Sequence, residues 1–159
     1  MSSSAVAFKE IVESAIESQR GKIGALLPVL HSIQETLGHI PSESVPMIAR
    51  AMNLSRAEVN GVMSFYHDFR IEPAGQHILH LCRAEACQAM GARELEDHVK
   101  ASLGIDYGET TSNGLFTLEP VYCLGNCACA PSLRVNDDLH ARVTAEMFDD
   151  LIAQMEAQD

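Results

Sequence analysis

The chain has 159 residues, 47% of them hydrophobic, and a formal net charge of -11. That length bounds one domain, or one domain with a helical appendage, and the apolar share is enough for a packed core. No Lys/Arg stripe appears anywhere, so nucleic acid, which this charge repels, is excluded as a partner.

The chain up to about Ile71 reads as consecutive helices. Phe8, Ile11, Val12, Ala15 and Ile16 follow helical spacing, and Leu26, Leu30, Ile33 and Leu37 do so again, with Pro28 tolerated near the first turn. Gly38 supplies a stop. Ser42 is expected to cap a third helix carrying Val45, Ile48, Ala49 and Met52. Ser55-Arg56-Ala57-Glu58 has the form of a capping box and opens a fourth helix with Val59, Val62, Met63 and Tyr66.

Glu72-Pro73-Ala74-Gly75 breaks the pattern, and the chain changes character. His77-Ile78-Leu79-His80-Leu81 is a strand running into Cys82. A helix follows with Ala92, Leu95 and Val99 on one face and Glu94, Glu96 and Asp97 outside. Leu115–Leu118 and Pro120–Tyr122 form a second strand leading into Cys123. Ser132–Val135 and Leu139–Arg142 read as a hairpin about Asn136-Asp137-Asp138. Thr144 caps a last helix on which Met147, Leu151 and Met155 line up. Strand, helix, strand, hairpin and helix make a small α/β unit of thioredoxin-like outline.

Cys82 and Cys87, then Cys123 and Cys127, are the chemistry-bearing residues. The pairs enclose four and three residues, and two short loops from one fold can close four thiolates about one centre. Thiolate selects iron–sulfur clusters, zinc or cuprous copper. Each iron of a [2Fe–2S] cluster takes two thiolates and two bridging sulfides, so two ligand pairs on separate loops suit it. The anionic whole needs compensation, which backbone N–H groups of tight loops supply, and Gly125 beside Asn126 fits that need, as does Gly91 past the first pair. Structural zinc is the competing use, although zinc knuckles usually enclose two residues per pair.

Cys129 is a fifth thiol, read as a small residue beside the centre. Arg83 and Glu85 are expected at a solvated rim. No covalent catalytic residue, Cys-x-x-Cys redox pair or Gly-rich phosphate loop is found. No apolar run approaches the roughly 18 residues of a membrane span. Met1-Ser2-Ser3-Ser4-Ala5 lacks the regions of a signal peptide. A cytoplasmic protein without membrane insertion is therefore expected, its odd number of cysteines serving metal rather than disulfides.

These residues resemble a known family. Pro28-Val29-Leu30-His31-Ser32-Ile33-Gln34-Glu35, Gly38-His39-Ile40-Pro41 and Gly61-Val62-Met63-Ser64-Phe65-Tyr66 are similar to motifs of the small thioredoxin-like [2Fe–2S] subunit of complex I-type NADH dehydrogenases and their soluble relatives. Cys82, Cys87, Cys123 and Cys127 fall where that family places its ligands, with Gly125 and Ala130-Pro131 in step. The loop Cys82-Arg83-Ala84-Glu85-Ala86-Cys87-Gln88-Ala89-Met90-Gly91 is most similar to the gamma subunit of NAD-dependent formate dehydrogenases.

The resemblance implies an α/β protein, with an N-terminal helical bundle over residues 1–72 and a thioredoxin-like [2Fe–2S] ferredoxin domain over 73–159. It also implies one [2Fe–2S] cluster and single-electron exchange with a flavin-bearing diaphorase subunit, beside a molybdenum- or tungsten-containing formate dehydrogenase catalytic subunit. NAD-reducing hydrogenases and NADH dehydrogenases carry the equivalent subunit. Asn126, where a small residue is common, and Cys129 depart from the respiratory members.

Overall fold

The computed structural model describes residues 3–158, with side chains from Phe8 onward. Met1 and Ser2, on which the reading of the N-terminus partly rests, lie outside the described residues, as does Asp159. The chain divides into two compact units, Met1–Pro73 and Ala74–Asp159. Among the described residues, no helix is long and apolar enough to cross a membrane.

The first unit contains four α-helices: α1 (Ser3–Ser18), α2 (Leu26–Leu37), α3 (Val45–Met52) and α4 (Arg56–Phe65). Its core comprises Val12 and Ala15 of α1, Val29, Leu30 and Ile33 of α2, Ile48 and Ala49 of α3, and Val59 and Met63 of α4. Gly38 closes α2 in the left-handed region at φ +77°, its N–H donating to the Gln34 carbonyl. The Gln34 side chain then holds the segment after α4, donating to the Asp68 carbonyl and accepting from the Arg70 N–H, each at 2.7 Å. The Ser55 box forms in full: Ser55 Oγ accepts from the Glu58 N–H, and Glu58 Oε2 accepts from the Ser55 N–H at 2.7 Å.

Two expectations fail in this unit. Ser42 begins a 3-10 turn over Ser42–Ser44 and caps nothing, while the hydroxyl of Ser44 donates back to the Pro41 carbonyl at 2.6 Å. The Pro at the start of α3 lacks an N–H to be capped, which removes part of the need. Tyr66 lies beyond the end of α4 with extended backbone angles and is exposed.

The second unit is a five-stranded sheet in the order β2-β3-β1-β4-β5. Its strands are β1 (His77–Cys82), β2 (Glu109–Thr110), β3 (Phe116–Val121), β4 (Ser132–Val135) and β5 (Asp138–Ala141). β1 and β3 are parallel and the remaining pairs antiparallel. A parallel pair needs a long crossover, and here it contains a short helix α5 (Glu85–Ala89) and α6 (Ala92–Leu103). Leu79, Leu81, Phe116, Leu118, Leu133 and Val135 share one face by register. Leu95 and Val99 of α6 pack there with Phe148 and Ile152 of the last helix, α7 (Ala145–Glu156).

Pro120 is tolerated inside β3. The Leu118 carbonyl is bonded to Gly108 on the β2 side, and alternation turns the Pro120 nitrogen to that same side, beyond the last β2 pairing. Gly75 is required by contact: a Cβ there would stand 2.8 Å from the Leu115 carbonyl oxygen.

Thr144 caps α7 as expected, accepting from the Met147 N–H. The buried stripe of α7 is rotated by one residue from the expected one. Phe148 and Ile152 are buried, Leu151 and Met155 pack at the margin, and Met147 is 41% exposed. Glu96, expected outside, is largely covered on α6, with its side chain 14% exposed.

Phe148→Ala is expected to cost about 3–5 kcal/mol by the void it leaves, and Met147→Ala to stay within about 0.5 kcal/mol, both read from chemical denaturation. In the first unit Ser55→Ala is expected to cost about 1 kcal/mol by loss of the cap, measured in the same way.

Candidate metal centre

Parallel pairing delivers the two thiol loops to the C-terminal ends of two adjacent inner strands. Cys82 ends β1 opposite Val121, and Cys123 follows two residues after Val121 at the same end of the neighbouring strand. The Arg83 N–H donates to the Val121 carbonyl at 2.7 Å, extending the ladder one step past Cys82. From there the first loop turns into α5, which carries Cys87. The second loop turns through Gly125 at φ +76° into a 3-10 turn over Cys127–Cys129. This turn lies against α5.

The four thiols differ in exposure. Cys82 and Cys87 are each 2% exposed in a small apolar cluster with Ala92 and Ala130, while Cys123 and Cys127 face outward. The Sγ atoms of Cys123 and Cys127 are 3.7 Å apart. Burial, then a hydrogen bond with Cys82, pushes the Cys87 thiol up to about 11, opposed by the Ser132 backbone N–H. Cys127 is raised by its hydrogen bond with Cys123 and by the Cys123 charge, and it also feels Cys82. Cys87 in turn feels Cys127. The two pairs are therefore electrostatic neighbours, across loops some forty residues apart in the chain.

Backbone N–H groups meet the sulfurs as the sequence leads one to expect. The Gly125 N–H donates to Cys123 Sγ at 3.3 Å, and the Ser132 N–H reaches Cys87. Cys123 itself has φ +154°, a region that non-glycine residues seldom adopt. Asn126 contributes differently from the expectation: its backbone is at φ -104°, and its side chain donates to Ser132 Oγ at 3.3 Å. Gly91 starts α6 at φ +91°, where an added Cβ would meet only Glu94 Oε2 at 3.7 Å, so it permits no close backbone approach. Cys129 is half-buried in the 3-10 turn.

This donor set fits a two-iron centre. Such a centre takes two thiolates on each iron, whereas an all-cysteine zinc site draws four sulfurs to about 2.3 Å from one ion. Cys123 and Cys127 stand as a contacting pair, and Cys82 and Cys87 share one buried cluster.

Residues that sequence reasoning passed over brace the first loop. Arg83, expected at the solvated rim, instead sends Nε to Glu96 Oε2 at 3.0 Å and stacks over the Tyr107 ring. Gln88 closes the loop by donating from Nε2 to the Arg83 carbonyl at 2.7 Å, and Arg93 Nη2 holds Gln88 Oε1 at 3.0 Å. Burial raises the Glu96 carboxyl, but Lys100 and Arg83 outweigh it and hold the group below the usual range. A charged residue beside a cysteine carries no sequence signal of which helix it will meet.

The chain is similar to known proteins. Residues 12–156 match the family described as thioredoxin-like [2Fe-2S] ferredoxin. The chain is 38% identical over 138 residues to NADH-quinone oxidoreductase subunit 2 of Thermus thermophilus, covering 86% of this chain and 76% of that protein. It is 34% identical over 147 residues to the NADP-reducing hydrogenase subunit HndA of Solidesulfovibrio fructosivorans, covering 92% and 85%. Among solved structures, an NAD+-reducing [NiFe]-hydrogenase in the H2-reduced state aligns with a TM-score of 0.70 and 25% identity over 84% of this chain. The chain spans only 22% of that hydrogenase chain. With a family match over nearly its whole length and relatives of this identity, the chain belongs to the thioredoxin-like [2Fe–2S] ferredoxin family, whose cofactor is one [2Fe–2S] cluster.

Proposed function

We propose that this chain is a non-catalytic electron-transfer subunit of a soluble, cytoplasmic NAD-dependent formate dehydrogenase, with Cys82, Cys87, Cys123 and Cys127 as cluster ligands. When bound, the cluster supplies one-electron chemistry. The observation that carries the reading is the meeting of two thiol pairs at the C-terminal ends of β1 and β3, one pair buried and the other exposed. The buried pair anchors the centre in apolar surroundings, and the exposed pair leaves one side open to a redox partner. Loops held by β1, β3 and α5 keep the sulfurs in place, so little protein movement accompanies a change of charge.

The partner in this reading is a flavin-bearing diaphorase subunit, beside a molybdenum- or tungsten-containing catalytic subunit. The support for formate is the likeness of the loop from Cys82 to Gly91 to the gamma subunit of such enzymes. A second reading, the equivalent subunit of an NADH dehydrogenase or of an NAD(P)-reducing hydrogenase, is favoured by the relatives' names. Both readings share the same electron-transfer role.

Anaerobically purified chain is expected to hold about two irons and about two sulfides and to give a rhombic signal in electron paramagnetic resonance (EPR) on reduction with dithionite. One zinc per chain and no visible band would instead indicate a structural zinc adaptor. Cys123→Ser is expected to lose most of the cluster absorption, since a hydroxyl is a poor iron ligand, while Cys129→Ser keeps it. Loss of colour in Cys129→Ser would mean that the ligand set is wrong. Purification from the native host is expected to bring down a flavoprotein and a molybdenum or tungsten enzyme oxidising formate; a hydrogenase in its place would favour the second reading.

A further inference from the structure

Arg83 stands one residue past Cys82, inside the first thiol loop, and is held on three sides. Its N–H donates to the Val121 carbonyl of β3, and its own carbonyl accepts from Gln88, which lies beyond Cys87. Its guanidinium leaves the loop for α6, where Nε meets Glu96 Oε2 at 3.0 Å, with the Tyr107 ring centroid 5.0 Å away. Glu96 is 14% exposed and takes a second cation, Lys100 Nζ, on its other oxygen at 2.8 Å.

A solvated ion pair contributes little. Here the carboxylate is covered while the guanidinium is 36% exposed, so losing Arg83 removes one of the two cations that compensate a largely desolvated charge. The contact therefore resists displacement of the loop in a way that a rim residue does not. Glu96 and the Tyr107 ring receive two cations, Arg83 and Lys100, the latter with Nζ 4.4 Å from the ring centroid, but only Arg83 belongs to the thiol loop.

We infer that Arg83 is a positioning residue for the cluster: anchored on Glu96, it fixes the Cys82–Cys87 loop so that both buried thiolates stay at the spacing an iron requires. The inference rests on Cys82 and Cys87 being ligands. Arg83 does not touch the metal. Its part is to keep the first pair together, and so to slow the loss of iron and set the symmetry at that iron.

The test uses the full-length chain carrying its cluster, as wild type and as Arg83→Gln, Arg83→Lys, Glu96→Gln and Lys100→Gln. Each is exposed anaerobically to EDTA while the visible band is followed, with the g values of the reduced EPR signal and the thermal unfolding curve recorded alongside. Arg83→Gln and Glu96→Gln are expected to lose the band roughly tenfold faster, the low end of what losing an outer hydrogen-bond partner costs a metal site. Their g values shift. Arg83→Lys recovers part of the loss. Lys100→Gln, which takes a cation from Glu96 but leaves Arg83 anchored there and does not touch the loop, changes the rate far less than Arg83→Gln does.

A wild-type decay rate with wild-type g values in Arg83→Gln overturns the inference. So does equal acceleration in Lys100→Gln, which would make the effect one of general stability. Cys82→Ser, run in parallel, separates the two claims. If it keeps the wild-type signal, the ligand assignment falls and the inference with it. If it loses the cluster while Arg83→Gln behaves as wild type, only the positioning role falls.

Discussion

Four cysteine sulfurs gathered at the ends of two neighbouring strands repel one another once ionised, and two of them are also shut away from water. Such a group persists only where backbone and charge oppose the repulsion. The parallel pairing of β1 with β3 creates the crowding, because it ends Cys82 and Cys123 side by side. The Gly125 and Ser132 N–H groups then offset part of the cost. Without a metal, burial leaves Cys87 protonated, its thiol up at about 11. In the proposed reading, metal binding is thus tied to loss of protons from a buried site.

Charge is unevenly spread along the chain. Of the 11 Lys and Arg, five follow Pro73, against 14 of the 22 Asp and Glu. The cluster-bearing unit therefore carries a formal charge of 5 - 14 = -9, while the first unit carries 6 - 8 = -2. An anionic cluster deepens that excess. Screening confines much of it to roughly 10 Å in ordinary salt, so the field matters mainly to a partner that approaches closely. Within the second unit, Arg83 and Lys100 are paired with Glu96, and Lys100 also with Asp106.

Much of the architecture could be read before any coordinates. Local rules governed those parts: the Ser55 box, the Gly38 stop, the Thr144 cap and the hairpin after Ser132 each depend on neighbours within a few residues. The failures share a different cause. On α7, Met147-Leu151-Met155 and Phe148-Ile152-Met155 both satisfy helical spacing, and packing against the sheet selects the stripe with the larger Phe148. β2 has two residues and α5 has five, too short for periodicity to register. The strand read through Pro120 is continuous, although nothing local says that its missing N–H faces the unpaired side.

The thiol pairs were legible because cysteine spacing is sparse and its chemistry narrow. The braces around them were not. Arg83 is bonded to a residue 13 positions away, and its partner Glu96 looks like any surface glutamate of an acidic helix. A polar residue that folding covers can be recognised only once the covering elements are in place.

The decisive measurement is iron K-edge X-ray absorption on the full-length chain purified without oxygen. The expected result is a shell of sulfur scatterers about each iron together with an iron–iron vector, as a pair of bridged metals held by four cysteines requires. A sulfur shell with no iron–iron contribution, or a folded chain whose only metal is zinc, would contradict it.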